Sequence, residues 1–145
     1  MAVRVQAEDF DPGRELALLA AADNGAGAVA SFLGLVRGDD IQAMTLQHYP
    51  GMTERQLQAI EDQARSRWPL IDVIIIHRFG RLLPGETIVF VGVASRHRAA
   101  AFAACEFLMD WLKTRAPFWK LEETADGPHW VEAKGDDDDR AERWD

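Results

Sequence analysis

Two runs rich in β-branched and aromatic residues, Val73 to Phe79 and Thr87 to Ala94, flank a stretch that contains Leu82-Leu83-Pro84-Gly85. Apolar runs of that length suit buried strands, and Pro-Gly fits the central positions of a type II turn. The pair predicts an antiparallel hairpin, and any fold for this chain has to be built round it. Ala2 to Gln6 alternates as a first strand. Asp11-Pro12 supplies an N-cap and a first helical position for a short helix over Glu15 to Ala22, closed by Asn24-Gly25. Gly27 to Arg37 predicts a buried strand with a bulge or a close backbone approach at Gly34. After the turn Gly38-Asp39-Asp40, Met44 to Tyr49 reads as its partner strand.

Two longer helices are marked by the spacing of apolar residues. Thr53 and Gln56 make a T-x-x-Q capping signal, Leu57, Ile60, Ala64 and Trp68 fall on one face, and Pro69 stops the helix. Ser95 can cap a second helix with Phe102, Cys105, Met109 and Leu112 at core spacing, ended by Pro117. Phe118 to Glu123 and His129 to Ala133 flank Asp126-Gly127 as a closing hairpin. Antiparallel hairpins packed with helices predict an α+β fold rather than a doubly wound sheet. The chain of 145 residues has no internal repeat and no dividing linker. Residues 1–134 therefore read as one domain, and 135–145 as an acidic, solvated tail.

Charge narrows the functional classes. The net charge is -8, the wrong sign for a nucleic-acid binder, and half of it lies in the stretch from Gly135 to Asp145. Between Ser95 and Lys120 the balance reverses: Arg96, Arg98, Lys113, Arg115 and Lys120 face only Glu106 and Asp110, which suggests a local anion site. No apolar run approaches the roughly 20 residues of a membrane span, and the N-terminal residues lack a secretory apolar region. The expectation is a soluble, cytoplasmic protein without a membrane partner. The single cysteine, Cys105, lies on an apolar stripe and reads as a core thiol. His48, His77, His97 and His129 lack metal-ligand spacing, so no metal or cofactor is expected. There is no G-x-S-x-G, P-loop or G-x-G-x-x-G motif.

The chain has three lysines, Lys113, Lys120 and Lys134, against thirteen arginines. Where arginine is the habitual cation, a lysine can mark a need for a titratable amine; it can equally just complement a helix C-terminus. Neighbouring positive charge from Arg115 and Lys120 would lower the Lys113 amine toward a working range. His97 and Arg98, in the first turn of a helix, can complete an anion cradle or can be ordinary surface groups. Arg37, at a strand end, is a third candidate cation. Arg98 and Lys113 are fifteen residues apart, roughly 22 Å along a helix, so one small ligand cannot touch both. If both serve one site, they come from different copies of the chain in a symmetric homodimer.

Five segments together resemble the large, catalytic subunit of molybdopterin synthase: Phe32 to Arg37 (FLGLVR), Leu46 to Met52 (LQHYPGM), His77 to Gly80 (HRFG), Ser95 to Arg98 (SRHR) and Leu112 to Lys120 (LKTRAPFWK). They occur in the family's order, within a resemblance running from Gly27 to Ala133. It implies an α/β hammerhead fold with an added α+β subdomain. It also implies a homodimer that binds two copies of a small ubiquitin-like sulfur carrier, giving a heterotetramer. The carrier's C-terminal Gly-Gly thiocarboxylate would enter the large subunit and convert cyclic pyranopterin monophosphate (precursor Z) into molybdopterin. Lys113 and Lys120 match the family's active-site lysines, with Lys113 beside the incoming thiocarboxylate. Arg37, His97 and Arg98 match positions that hold the substrate, the latter two from the other subunit. Phe32, Met109 and Glu122 match pocket-lining positions. The loop after Arg37 is shorter than in many relatives, and Lys134 stands where the family has arginine. The alternative classes are a non-enzymatic dimeric sensor of a phosphorylated metabolite and a pure docking subunit.

Overall fold

The computed structural model describes residues 3–131 and 135–145. In chain order the elements are β1 (Val3–Gln6), α1 (Pro12–Ala20), β2 (Ala28–Leu35), β3 (Ala43–His48), α2 (Met52–Arg67) and β4 (Leu70–Arg78). Next come β5 (Gly80–Leu82), β6 (Thr87–Ser95), α3 (Arg98–Thr114), β7 (Phe118–Thr124), β8 (Gly127–Val131) and α4 (Gly135–Glu142). The hairpin of β4 and β6 forms the middle of a sheet ordered β1-β4-β6-β2. β1 lies parallel to β4, and β2 antiparallel to β6. Its turn is as expected: Gly85 takes φ +89°, and the Glu86 N–H donates to the Leu83 carbonyl at 3.0 Å. The β2 register slips between Gly34 and Leu35, beside the predicted irregularity. A Cβ on Gly34 would lie 2.6 Å from Val89 Cγ1, so the strands approach closely there only because glycine has none.

Alternation along the central strands sorts their side chains between two layers. Val73, Ile75, Val89, Val91 and Val93 meet Leu57, Ile60, Ala101 and Leu108 of α2 and α3 in the main core. Ile74, Ile76, Phe90 and Ala94 point the other way, onto Leu19 of α1. A second sheet, ordered β5-β3-β7-β8, is antiparallel throughout. Val36, Leu46 and Leu82, with Phe79, Ile88 and Phe118 against them, join it to the end of the first. The mixed α+β architecture predicted from the element order is therefore present.

Several local expectations are corrected. β3 is not the partner of β2: it lies in the second sheet between β5 and β7. The central hairpin is interrupted by β5, which leaves the first sheet at Gly80 (φ +95°) to pair with β3. The N-cap of α2 is Gly51 at φ +83°, whose N–H donates to the Glu54 carboxylate at 3.3 Å. Thr53 sits inside the first turn, fully buried, and its hydroxyl donates to the Tyr49 carbonyl at 2.8 Å. Ser95 ends β6 and donates to the Pro69 carbonyl at 3.0 Å, so the N-cap of α3 is His97.

Phe102 is not a core residue. It is 65% exposed, because the buried stripe of α3 runs through Ala101, Ala104, Cys105, Leu108 and Leu112, and residue 102 is turned about 100° from residue 101. The acidic run expected as a solvated tail lies in helix α4, which packs on α3. The residues after α4 fasten it: the Trp144 indole N–H donates to Asp110 at 2.7 Å, and Arg143 donates to the same carboxylate at 2.9 Å. The Trp144 ring meets Trp68 and Phe107 edge-on. No helix among the described residues is long and apolar enough to cross a membrane. Ala2 and Glu132 to Lys134 lie outside the described residues.

Candidate functional site

Helix α3 stops at Thr114, where the Arg115 and Ala116 N–H groups both bond the Trp111 carbonyl, at 2.8 and 3.2 Å. Pro117 cannot continue it, and Phe118 starts β7 after a turn of three residues. Across that turn Lys113, in the last turn of α3, is near enough to Lys120 on β7 for its charge to be felt there. Lys120 is half-buried. Its amine is held below the usual lysine range by burial first and then by the charge of Lys113, with a smaller push from Arg37. Asp137 of α4 and Glu122 act in the opposite direction. Alternation puts Phe118, Lys120 and Glu122 on one face of β7, opposite His48, Leu46 and Met44 of β3. Arg115, expected to help tune the lysines, is instead bonded twice to Asp145, at 2.8 and 2.7 Å. Lys120 is thus lowered by burial in the first place, and the Lys113 side chain is exposed.

The remaining candidates divide between two places. Arg37 follows β2 and is exposed, while Phe32, earlier on the same strand, is 36% exposed. Met109 is buried one turn before Lys113. His97 and Arg98 are exposed at the opposite end of α3, fifteen residues of unbroken helix from Lys113, or about 22 Å. One copy of the chain thus gathers Lys113, Lys120, Arg37 and Glu122, and leaves His97 and Arg98 apart. Among the described residues no carboxylate is ion-paired with Arg37, Arg98, Lys113 or Lys120, whereas Arg81 pairs with Glu123 and Arg143 with Glu106 and Asp110. Those four cations are available to an anionic ligand. A cleft of about 810 Å³ between α1 and β1 is a poorer anion host. Its Arg4 is paired with Glu15, and Asp9, Asp11 and Asp72 line it.

Sequence spacing missed His77. It shares the Val73 and Ile75 face of β4 and is buried. Its Nδ1 lies 2.8 Å from the Arg78 carbonyl. A carbonyl only accepts, so Nδ1 carries the hydrogen and Nε2 the lone pair. The ring stacks on Phe118 with centroids 3.7 Å apart and planes 15° from parallel. Burial first, and then the charges of Lys120, Lys113 and His48, push its pKa down to about 3 against the opposing Arg78 hydrogen bond. His48 is fixed likewise: the Thr53 hydroxyl hydrogen goes to Tyr49, so the 3.1 Å contact runs from His48 Nδ1–H to Thr53 Oγ1. Cys105 is pushed up to about 11 by burial and then by Glu106, so it stays a thiol. No group of three or more metal-ligating side chains occurs among the described residues.

A neutral buried His77 makes stability depend on pH. The folded protein binds this proton less readily than the unfolded chain does. The contribution of the neutral ring is whole above about pH 6.5 and drains as pH falls toward about 3, by up to about 1.4 kcal/mol per pH unit. Urea unfolding between about pH 6.5 and 4.5 should therefore lose stability less steeply in His77→Phe than in the parent. Parallel slopes would contradict the assignment.

Residues 5–115 match the family described as MoaE protein. The chain is 57% identical over 148 residues to the molybdopterin synthase catalytic subunit of Pseudomonas aeruginosa, covering 99% of each. The solved structure of the molybdopterin biosynthesis MoaE protein from Burkholderia ambifaria superposes with a TM-score of 0.85 at 53% identity, covering 99% of this chain and 98% of that one. A complex of subunits 1 and 2 of molybdopterin-converting factor from Helicobacter pylori contains a chain of the same fold, with a TM-score of 0.73 at 22% identity. That match covers 93% of this chain and 92% of the other.

Proposed function

The chain belongs to the MoaE protein family, and we propose that it is the catalytic subunit of a molybdopterin synthase, working at the turn between α3 and β7. The observation that carries this reading is the pair of lysines there: no carboxylate is ion-paired with either among the described residues, and burial makes one of them easier to deprotonate. Sulfur arrives as the C-terminal thiocarboxylate of a small ubiquitin-like partner in the cytoplasm. The acceptor is cyclic pyranopterin monophosphate. In each delivery the thiocarboxylate sulfur forms a bond to a side-chain carbon of the pterin as a carbon–oxygen bond at that carbon breaks, the displaced oxygen leaving on the phosphate or as water. Water then attacks the acyl carbon, the acyl–sulfur bond breaks, the partner leaves as a carboxylate and the sulfur stays on the pterin.

Each residue has a task in that sequence. Lys113, the exposed amine, meets the thiocarboxylate and offsets its charge. Lys120, with its lowered pKa, moves the proton that accompanies acyl transfer to water. Arg37 offsets charge on the substrate, and Glu122, Met109 and Phe32 bound the pocket. Cys105 has no part, since the partner carries the sulfur.

His97 and Arg98 reach the same substrate from a second copy of the chain. The surface of the first sheet supports such a dimer. β2 is an edge strand, and Val29, Phe32, Leu33 and Leu35 on it are exposed, as is Phe102 on α3. An apolar open edge of this kind calls for a covering partner. The experiment is a reconstituted reaction in which Arg98→Ala raises KM for the pterin phosphate roughly tenfold or more, the value of a lost charge-assisted contact. An unchanged KM would remove Arg98 from the substrate site.

A further inference from the structure

We propose that His77 is a positioning residue for Lys120, acting through the lone pair on its Nε2; the proposal rests on the lysine site described above and adds a group to it. Three contacts hold the ring in a single state. The Arg78 carbonyl takes the Nδ1 hydrogen, Phe118 covers one face, and β4 clamps the backbone between β1 and β6, with His77 opposite Val5 and Val89. The atom left over is Nε2. It has no hydrogen-bond partner among the described residues. The residue is 5% exposed, and the stacked Phe118 sets its ring beside the strand face that carries Lys120.

Phe118 couples the two residues mechanically. It precedes Lys120 by one full alternation on β7 and shares its face, so seating Phe118 on His77 also sets where the Lys120 side chain starts. An acceptor with no hydrogen of its own at Nε2 can receive a hydrogen bond from the Lys120 ammonium. A protonated ring there would instead set a third positive charge beside Lys113 and Lys120. Such bonds are often long in the absence of substrate and shorten when it binds. The charged and titratable groups round the pair are Lys113 from α3, His48 from β3, Glu122 from β7, Arg37 after β2 and Asp137 from α4.

The test separates the two nitrogens. His77→Asn keeps a donor for the Arg78 carbonyl and loses the acceptor at the Nε2 position, whereas His77→Gln places an amide near Nε2. In His77→Asn the titration of Lys120, followed by NMR of the selectively labelled amine in the free protein, should move down by roughly half a pH unit or more, because an acceptor that favoured the ammonium is gone. In the reconstituted reaction kcat should fall roughly tenfold or more, with KM for the pterin within about twofold, and His77→Gln should recover part of the loss. A Lys120 titration and kcat unchanged in His77→Asn would overturn the proposal. So would equal losses in His77→Asn and His77→Gln with no movement of the titration, which marks a packing role alone. If the parent protein forms no product, the proposed reaction fails, and the Lys120 titration still decides the role of His77.

Discussion

Replacing Lys120 by alanine is expected to lower turnover by about a hundredfold or more, the usual weight of a positioned proton-transfer group. The fold should survive, because the side chain is half-buried and makes no hydrogen bond to a described residue. Lys120→Arg separates charge from proton transfer. Arginine restores the cation but cannot give up its proton near neutral pH, so it should be nearly as slow as alanine. At position 113 the pattern should differ. Lys113→Ala should abolish turnover while leaving the dimer intact, and Lys113→Arg should keep a good part of the activity, because the task there is to meet an anion. If Lys120→Arg were as active as the parent, the lowered amine pKa would have no catalytic use. Full activity in Lys113→Ala would remove that residue from the site.

The second large effect is a gain. A variant with Lys120→Ala and one with Arg98→Glu should each be nearly inactive alone at low substrate. Unfolded together and refolded as a mixture, they should recover about a quarter of the parent activity. The reason is the length of α3: the lysines and Arg98 lie at its two ends, so a site using both draws on two copies. In a mixed dimer one site then collects both substitutions and the other collects neither. Random pairing makes half of the dimers mixed, each with one intact site. If the site lay within a single copy, mixing would restore nothing.

How much of the fold is readable in the sequence depends on the range over which each feature is decided. The strands of the central hairpin are legible because their residues are apolar throughout, as burial on both faces by α1 and by α2 with α3 requires. The helix stops at Pro69 and Pro117 are legible because proline acts locally. The place of β3 is not, since its neighbours are β5 and β7 and local alternation says nothing of which strand lies alongside. The caps expected at Thr53 and Ser95 fall elsewhere because both hydroxyls are bonded to carbonyls at 2.8 and 3.0 Å, a competing use the spacing does not reveal. The acid run from Asp136 to Asp139 lies in α4, which Trp144 and Arg143 fasten by anchoring on Asp110.

At the site, the two lysines stand out by rarity and by the family motif, and the fold supplies the turn between α3 and β7 that they flank. His77 is hidden. In the sequence it is one polar residue at the end of an apolar strand, and its neutral state is set first by burial and then by the charges of Lys120, Lys113 and His48, while the Arg78 carbonyl fixes which nitrogen carries the hydrogen. The lowering of Lys120 is hidden too, because burial, which no count of charges contains, comes first in it.

The proposed reaction passes sulfur from a partner's thiocarboxylate to a pterin at the lysine pair. The most direct measurement combines the purified chain, a small partner ending in Gly-Gly and cyclic pyranopterin monophosphate, with the product oxidised to a fluorescent pterin. Product should form when the partner carries a thiocarboxylate, should be absent when it carries an ordinary carboxylate, and should vanish with Lys113→Ala. No product from a thiocarboxylated partner that serves another catalytic subunit, with the pterin phosphate still bound, would rule out sulfur transfer and leave a phosphate-sensing dimer in its place.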